Sequence, residues 1–203
     1  MKKKIDTCPI VIVGAWNKAI FTPEWIQKYI IMHDAFEVRI PQPHLVNASL
    51  QFVTPDFAIN ILGERLEFRI TGNPEKAVEC LRNILRILPH TPIVSMGINT
   101  AYIEDSAKIP QELTNKLNLN EDLKNLEVIS SAMIIALKVN EQSFLNIRII
   151  KEGNDITFDF NYDFRIKEAQ NIFDIIGEDD TIINKKEEEA KELLEQLYNL
   201  KIE

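Results

Sequence analysis

A chain of 203 residues and 23.4 kDa is long enough to close one sizeable hydrophobic core, and 45% hydrophobic with 27% charged residues is not the composition of a disordered chain. A formal net charge of -8 and a pI near 5.1 set the whole electrostatic field against phosphate backbones, so nucleic acid is not the expected partner. No apolar run approaches the roughly 18 residues that span a bilayer, and the run behind Met1-Lys2-Lys3-Lys4 is too short for a signal peptide; no membrane association is expected, and the expected place is the cytoplasm.

The first apolar run, Pro9 to Val13, predicts a strand that ends at Gly14. The connection that follows carries more apolar surface than a loop usually does, in Trp16, Ile20 and Phe21. It either folds over a sheet edge or presents a partner surface, because aromatic side chains mark binding hot spots. Trp16, Ile20 and Phe21 are therefore the candidate partner-binding residues. Thr22-Pro23-Glu24 then supplies an N-cap, a proline at the first helical position and an early acid, predicting a helix through Trp25, Ile26, Tyr29 and Ile30 to near His33.

Phe36 to Ile40 reads as a strand, and so does Leu50 to Val53, which leads through Thr54-Pro55-Asp56 into a hairpin. Closing that hairpin on Gly63-Glu64 sets Ile61 opposite Leu66, Ile59 opposite Phe68 and Phe57 opposite Ile70, with Asn60 and Glu67 paired on the other face. Asn73-Pro74-Glu75 starts a second capped helix, whose stripe of Ala77, Leu81, Ile84, Leu85 and Leu88 ends at Pro89. Ile93 to Ile103 predicts a strand. Residues 110–123 form a polar connector or short helix, with Leu113, Leu117 and Leu119 at near-helical spacing.

Leu126 to Val139 is apolar on both parities; a strand is expected, and a helix stays open. Between Asp155 and Ile166 strict alternation puts Ile156, Phe158, Phe160 and Tyr162 on one face. A turn at Gly153-Asn154 pairs these with Leu145, Ile147 and Ile149, and sets Arg148 opposite Asp159 and Asn146 opposite Asn161. From about Asp180 onward Ile183, Ala190, Leu194, Leu197 and Tyr198 make an amphipathic helix on a charged background.

These elements predict an α+β fold, a mainly antiparallel sheet of hairpins with helices packed on one face. No low-complexity linker divides the chain, so residues 1–203 are expected to form a single domain. A coarse β-β-β-α repetition suggests pseudo-repeat halves at about 1–105 and 106–203.

Signs of catalysis or metal binding are weak. Asp155, Asp159 and Asp163 share a strand face, but neighbours at roughly 3.3 Å per residue sit about 13 Å apart, too far to share an ion. His33, His44 and His90 are dispersed without HExxH-like spacing, and Ser130-Ser131 lies inside a predicted strand with no GxSxG nearby. Cys8 and Cys80 read as reduced structural thiols, and no glycine-rich phosphate loop is present. No catalytic residue, metal ligand or cofactor is expected.

Val11-Ile12-Val13-Gly14-Ala15-Trp16-Asn17 followed by Ile20-Phe21-Thr22-Pro23-Glu24-Trp25 resembles a sporadically distributed bacterial family without assigned function. Leu88-Pro89-His90-Thr91-Pro92 and Gly97-Ile98-Asn99 fit the same resemblance. It implies a bacterial origin and carries no activity or site residue with it.

The leading expectation is a non-enzymatic cytoplasmic interaction protein of an accessory or defence type. It would act through a protein partner or self-association, with edge strands as ready places for pairing. The alternative is a small-ligand binder or enzyme with a pocket between sheet and helices, lined by Phe158, Phe160 or Tyr162. Nucleic-acid recognition would need a basic stripe, for which Arg65, Arg69, Arg82 and Arg86 are the only local concentration.

Overall fold

The computed structural model of the chain describes residues 1–4, 8–31, 35–40, 49–117 and 129–202. Over these residues the fold is α+β, with ten strands in antiparallel pairing and five α-helices. In chain order they are β1 (Lys2–Lys3), β2 (Ile10–Gly14), α1 (Pro23–Tyr29), β3 (Glu37–Arg39), β4 (Leu50–Val53), β5 (Phe57–Ile61), β6 (Arg65–Ile70) and α2 (Pro74–Ile87). There follow β7 (Ile93–Asp105), α3 (Gln111–Leu117), β8 (Ser130–Lys138), β9 (Ser143–Glu152), β10 (Asp155–Arg165), α4 (Asn171–Ile176) and α5 (Ile182–Tyr198). The chain makes two compact units, one from Cys8–Ile98 with Asp163–Lys185 and one from Met1–Thr7, Asn99–Tyr162 and Lys186–Glu203. They are named here for α2 and α5.

In the α2 unit the strands run in the order β3-β4-β5-β6-β2-β7. The hairpin of β5 and β6 closes as its turn chemistry requires. Gly63 takes a left-handed φ of +84°, which a side chain would resist, and Phe57, Ile59 and Ile61 pair with Ile70, Phe68 and Leu66 while Asn60 faces Glu67. Helix α2 begins where its cap predicts, with Asn73 Oδ1 accepting the Glu75 N–H at 2.9 Å. Its buried side chains include Ala77, Val78, Leu81, Ile84 and Leu85, and the core of the unit adds Ile10, Ile12, Phe52, Ile59, Leu66 and Phe68. Each large apolar side chain so buried contributes about 1.5–3 kcal/mol over an exposed one.

Two helices depart from expectation. Helix α1 starts at its Thr22 cap but ends at Tyr29, short of His33, which lies outside the described residues, as does His44. The Ile31 N–H bonds to Ile26 O, the same carbonyl that accepts from Ile30, so the regular spacing of the ladder is already lost there. Helix α4 has no side-chain cap, and with Ile172 and Ile176 as its buried pair it offers too short a period to stand out in the sequence.

In the α5 unit β7, from Asn99 onward, is followed by β10, β9 and β8 in that order, and β1 pairs with β7. Gly153 supplies the left-handed turn residue, with φ +58°. A row of asparagines crosses this sheet, Asn146 Nδ2 donating to Asn161 Oδ1 at 3.0 Å and Asn161 Nδ2 to Asn99 Oδ1 at 2.7 Å. The Asn146–Asn161 bond is the side-chain contact that a turn at Gly153-Asn154 demands. Helix α5 buries Ala190 and Leu194, places Tyr198 5.8 Å from the Phe158 ring, and accepts the Tyr102 hydroxyl at Glu187 O.

The segment that was apolar on both parities is a strand over Ser130–Lys138, with 126–128 outside the described residues. Strand β8 pairs with β9 along its whole length, from Ser130 opposite Glu152 to Lys138 opposite Phe144, and no local helix can match a partner of that length. The polar connector holds α3, whose Leu113 and Leu117 are buried; Leu119 lies outside the described residues.

The Met1 ammonium sits 2.8 Å from Glu104 Oε2 and donates to Lys201 O at 3.2 Å. Hydrogen bonds from that ammonium and from the Asp105 N–H hold the Glu104 carboxyl down at about 2, against an ordinary 4.5. Because the folded value is the lower one, this stabilisation is complete above the unfolded value and is lost as pH falls from about 4.5 towards 2. Urea unfolding of Glu104→Gln should show the protein weakened by about 1–2 kcal/mol at pH 7, after allowance for solvent screening, and a flatter stability profile across that window. An unchanged profile would show that the ion pair contributes nothing to the fold.

Candidate functional site

The loop that carries Trp16 is stitched down from both sides. Gly14 N donates to Glu64 O, Ala15 N to Pro92 O and Trp16 N to Gly63 O. Gly14 lies so close to its neighbour that a Cβ would stand 2.6 Å from Pro92 O. Trp16 is 3% exposed, its indole N–H donates to Ile12 O at 3.2 Å, and its ring meets Phe21 edge-on at 6.3 Å between centroids. Phe21 in turn packs on Trp25 at 5.3 Å. Trp16 and Phe21 are thus core side chains of the α2 unit, and of the three candidate partner-binding residues Ile20 alone keeps partial exposure.

Most of the exposed large apolar side chains among the described residues of the α5 unit lie on and beside β8. Ile134 is 69% exposed and Leu137 43%, and the flanking residues Ile129 and Val139 are 81% and 64% exposed. Strand β8 ends the strand order, so one edge pairs with β9 and the other has no strand partner among the described residues. Nine residues at about 3.3 Å each make an edge of roughly 30 Å, along which alternate residues turn backbone N–H and C=O groups away from β9 with no strand to receive them among the described residues.

Edge strands are normally blunted by proline, by inward charges or by a bulge. Strand β8 has no proline, carries one charge, Lys138, and keeps continuous register with β9. Its odd side chains, Ser131, Met133 and Ile135, are half-buried, and Ser131 Oγ donates to Leu117 O at 2.6 Å. The sequence signal for this site was there in the same pattern that obscured the element. A strand apolar on both parities but only half-covered on one face and exposed on the other advertises itself as unfinished.

No protein-family model, curated protein or solved structure matches the chain.

A cleft of about 810 Å3 lies in the α2 unit between the last turns of α2 and α4. Leu85 and Phe173 give it apolar walls, and Arg86, Asp174 and Glu178 line it with both signs of charge. Arg82, also in the lining, is spent on structure. Its guanidinium ion-pairs with Asp180 and donates to Gly177 O at 2.6 Å. No single ligand charge suits the mixture.

The other sequence candidates do not assemble into chemistry. Phe158, Phe160 and Tyr162 are buried in the core against α5, with Lys186 Nζ 4.9 Å above the Tyr162 ring. Arg65 pairs with Glu67 and Arg82 with Asp180, which neutralises two of the four arginines in the basic concentration. Cys8 and Cys80 are not joined in a disulfide, and burial raises the pKa of both thiols, away from the thiolate that nucleophilic chemistry needs. Among the described residues no group of three His, Cys, Asp or Glu could hold a metal ion, and no helix is long and apolar enough to cross a membrane.

Proposed function

We propose that this chain is a non-enzymatic interaction protein of the bacterial cytoplasm that acts by strand addition at the free edge of β8. The observation that carries the reading is the nine-residue, nearly uncharged edge of β8, without a strand partner among the described residues and with the exposed Ile134 at its middle. In strand addition the ladder of main-chain hydrogen bonds supplies affinity, and alternate side chains supply specificity. Each backbone hydrogen bond adds a net of about 0.5–1.5 kcal/mol. Burial of Ile134, Leu137, Ile129 and Val139 adds up to about 1.5–3 kcal/mol each, against an association cost of several kcal/mol. That balance fits a regulated partner rather than a permanent one.

The test uses a strand with no relation to this chain: a nine-residue alternating threonine-valine peptide with lysines at both ends, titrated into nanomolar protein and followed by fluorescence anisotropy. Saturable binding to the wild type, weakened about tenfold or more in Ile134→Lys, is the expected result. Equal binding to both proteins, or none to either, would defeat the reading.

A further inference from the structure

We infer that the strand completing the β8 edge is β8 of a second copy of this chain, antiparallel about a two-fold axis at Ile134. This inference rests on the strand-addition reading and adds the identity of the occupant. A closed two-fold contact is isologous, so the same segment must complement itself when reversed. Reversed about Ile134, the stretch from Ile129 to Val139 does so. Ile129 falls opposite Val139, Ser130 opposite Lys138, Ser131 opposite Leu137, Ala132 opposite Ala136 and Met133 opposite Ile135, and Ile134 meets its twin.

The two faces of such a ribbon are each coherent. On the face of the even residues the paired isoleucines at 134 have alanine pairs on either side, which leaves room for two large branched side chains at the axis. On the face of the odd residues Met133 with Ile135 forms the centre, and Ile129 with Val139 closes each end. Each of the four exposed apolar residues at this edge gains a cross-strand neighbour at once. Lys138, the one charge of the strand, faces a serine hydroxyl, so no like charges oppose each other.

Other alignments do worse. Moving the axis to Ile135 sets Ile129 against Glu141 and Lys138 against Ala132, and moving it to Met133 leaves Val139 with no partner among the described residues. An axis between residues would pair even with odd positions, which point to opposite sides of a pleated sheet. The outer edge of β3, by contrast, is three residues long, too short to nucleate a ribbon.

Two copies each carry a net charge of -8, so long-range repulsion opposes the contact and salt should tighten it. Tightening with salt separates an apolar strand pairing from an ion-paired one.

The experiment is light scattering across concentration, together with cysteine cross-linking in a Cys8→Ser background. Wild type is expected to move from 23.4 kDa to twice that mass, with the transition shifting to lower concentration in higher salt. Ile134→Lys should stay at the lower mass with unchanged melting, since the side chain is exposed. Ile134→Cys should oxidise to a covalent dimer, because residues directly opposite lie about 4.5–5.5 Å apart at Cα, within disulfide reach. Ala132→Cys should not, its twin being displaced by four residues, about 13 Å.

A protein that stays monomeric at about 100 μM while still binding the threonine-valine peptide overturns the second copy as occupant and leaves strand addition standing. A protein that neither dimerises nor binds the peptide overturns both. A dimer that survives Ile134→Lys, or that cross-links at residue 132 instead of 134, overturns the interface assigned here.

Discussion

Replacing Trp16 with alanine is expected to destabilise the protein by about 3–5 kcal/mol, the range for deleting a large aromatic side chain from a packed core. Three losses combine. The indole is almost wholly buried, its edge contact with Phe21 is worth a further fraction of a kcal/mol to about 1.5, and Ile12 O loses the indole N–H. The cavity cannot collapse easily, because the backbone of Trp16 and of the two residues before it is fixed by bonds to Gly63, Pro92 and Glu64. Urea unfolding followed by tryptophan fluorescence and circular dichroism measures the effect, and a loss below about 1 kcal/mol would mean the ring is not part of the core. The magnitude also bears on interface mapping, since any association lost in Trp16→Ala would report partial unfolding rather than a deleted contact. Ile134, exposed and unbonded to neighbours by its side chain, is the position where binding and folding can be separated.

Arg82→Ala is expected to cost about 2–4 kcal/mol, somewhat below the range for breaking a fully buried pair because Arg82 is 12% exposed and Asp180 22%. The guanidinium binds Asp180 Oδ1 from Nε and Nη2 and caps Gly177 O. It therefore ties α2 to the turn that joins α4 to α5. That turn contains two left-handed residues, Gly177 at φ +69° and Asp180 at φ +55°, the second of which costs a non-glycine residue conformational energy. Removing Arg82 strands a carboxylate and a carbonyl and frees the turn to relax. A double-mutant cycle of Arg82→Met with Asp180→Asn should give a coupling of about 1 kcal/mol or more, because each single change already breaks the same bond. Additivity within about 0.5 kcal/mol would show that the pair is incidental.

The fold was most legible where its causes are local. Period-two alternation and a glycine turn fixed the β5–β6 hairpin in its observed register, and a Gly153 turn did the same for β9 and β10. The Asn73 and Thr22 caps placed the starts of α2 and α1 because an N-cap is a matter of four residues. Non-local causes were illegible. Whether Trp16 turned inward depended on carbonyls of Gly63 and Pro92, about 50 and 75 residues away, and nothing near Trp16 encodes them. The strand state of β8 was set by β9, and the cleft between α2 and α4 needed Arg82 and Asp174 to converge from far apart in the chain. The β8 site lay between these cases. Its composition was visible, but its availability was not, since only the strand order reveals that one of its edges has no strand neighbour among the described residues.

The asparagine row across the α5 unit has a consequence for which alignments the strands can adopt. Strands β9 and β10 each present an unbroken apolar face, Leu145, Ile147 and Ile149 on one and Ile156, Phe158, Phe160 and Tyr162 on the other. Sliding one along the other by two residues would keep that face apolar, so hydrophobic burial barely distinguishes the two arrangements. The same slide would bring Asn146 against Asp159 or Asp163 and Asn161 against Phe144 or Arg148, breaking the chain of amides that runs to Asn99. Half-buried amides without partners cost about 1–3 kcal/mol each. Three side chains with almost no part in the hydrophobic core thus act as a vernier, converting a sheet that could slip into one that reads true at a single setting.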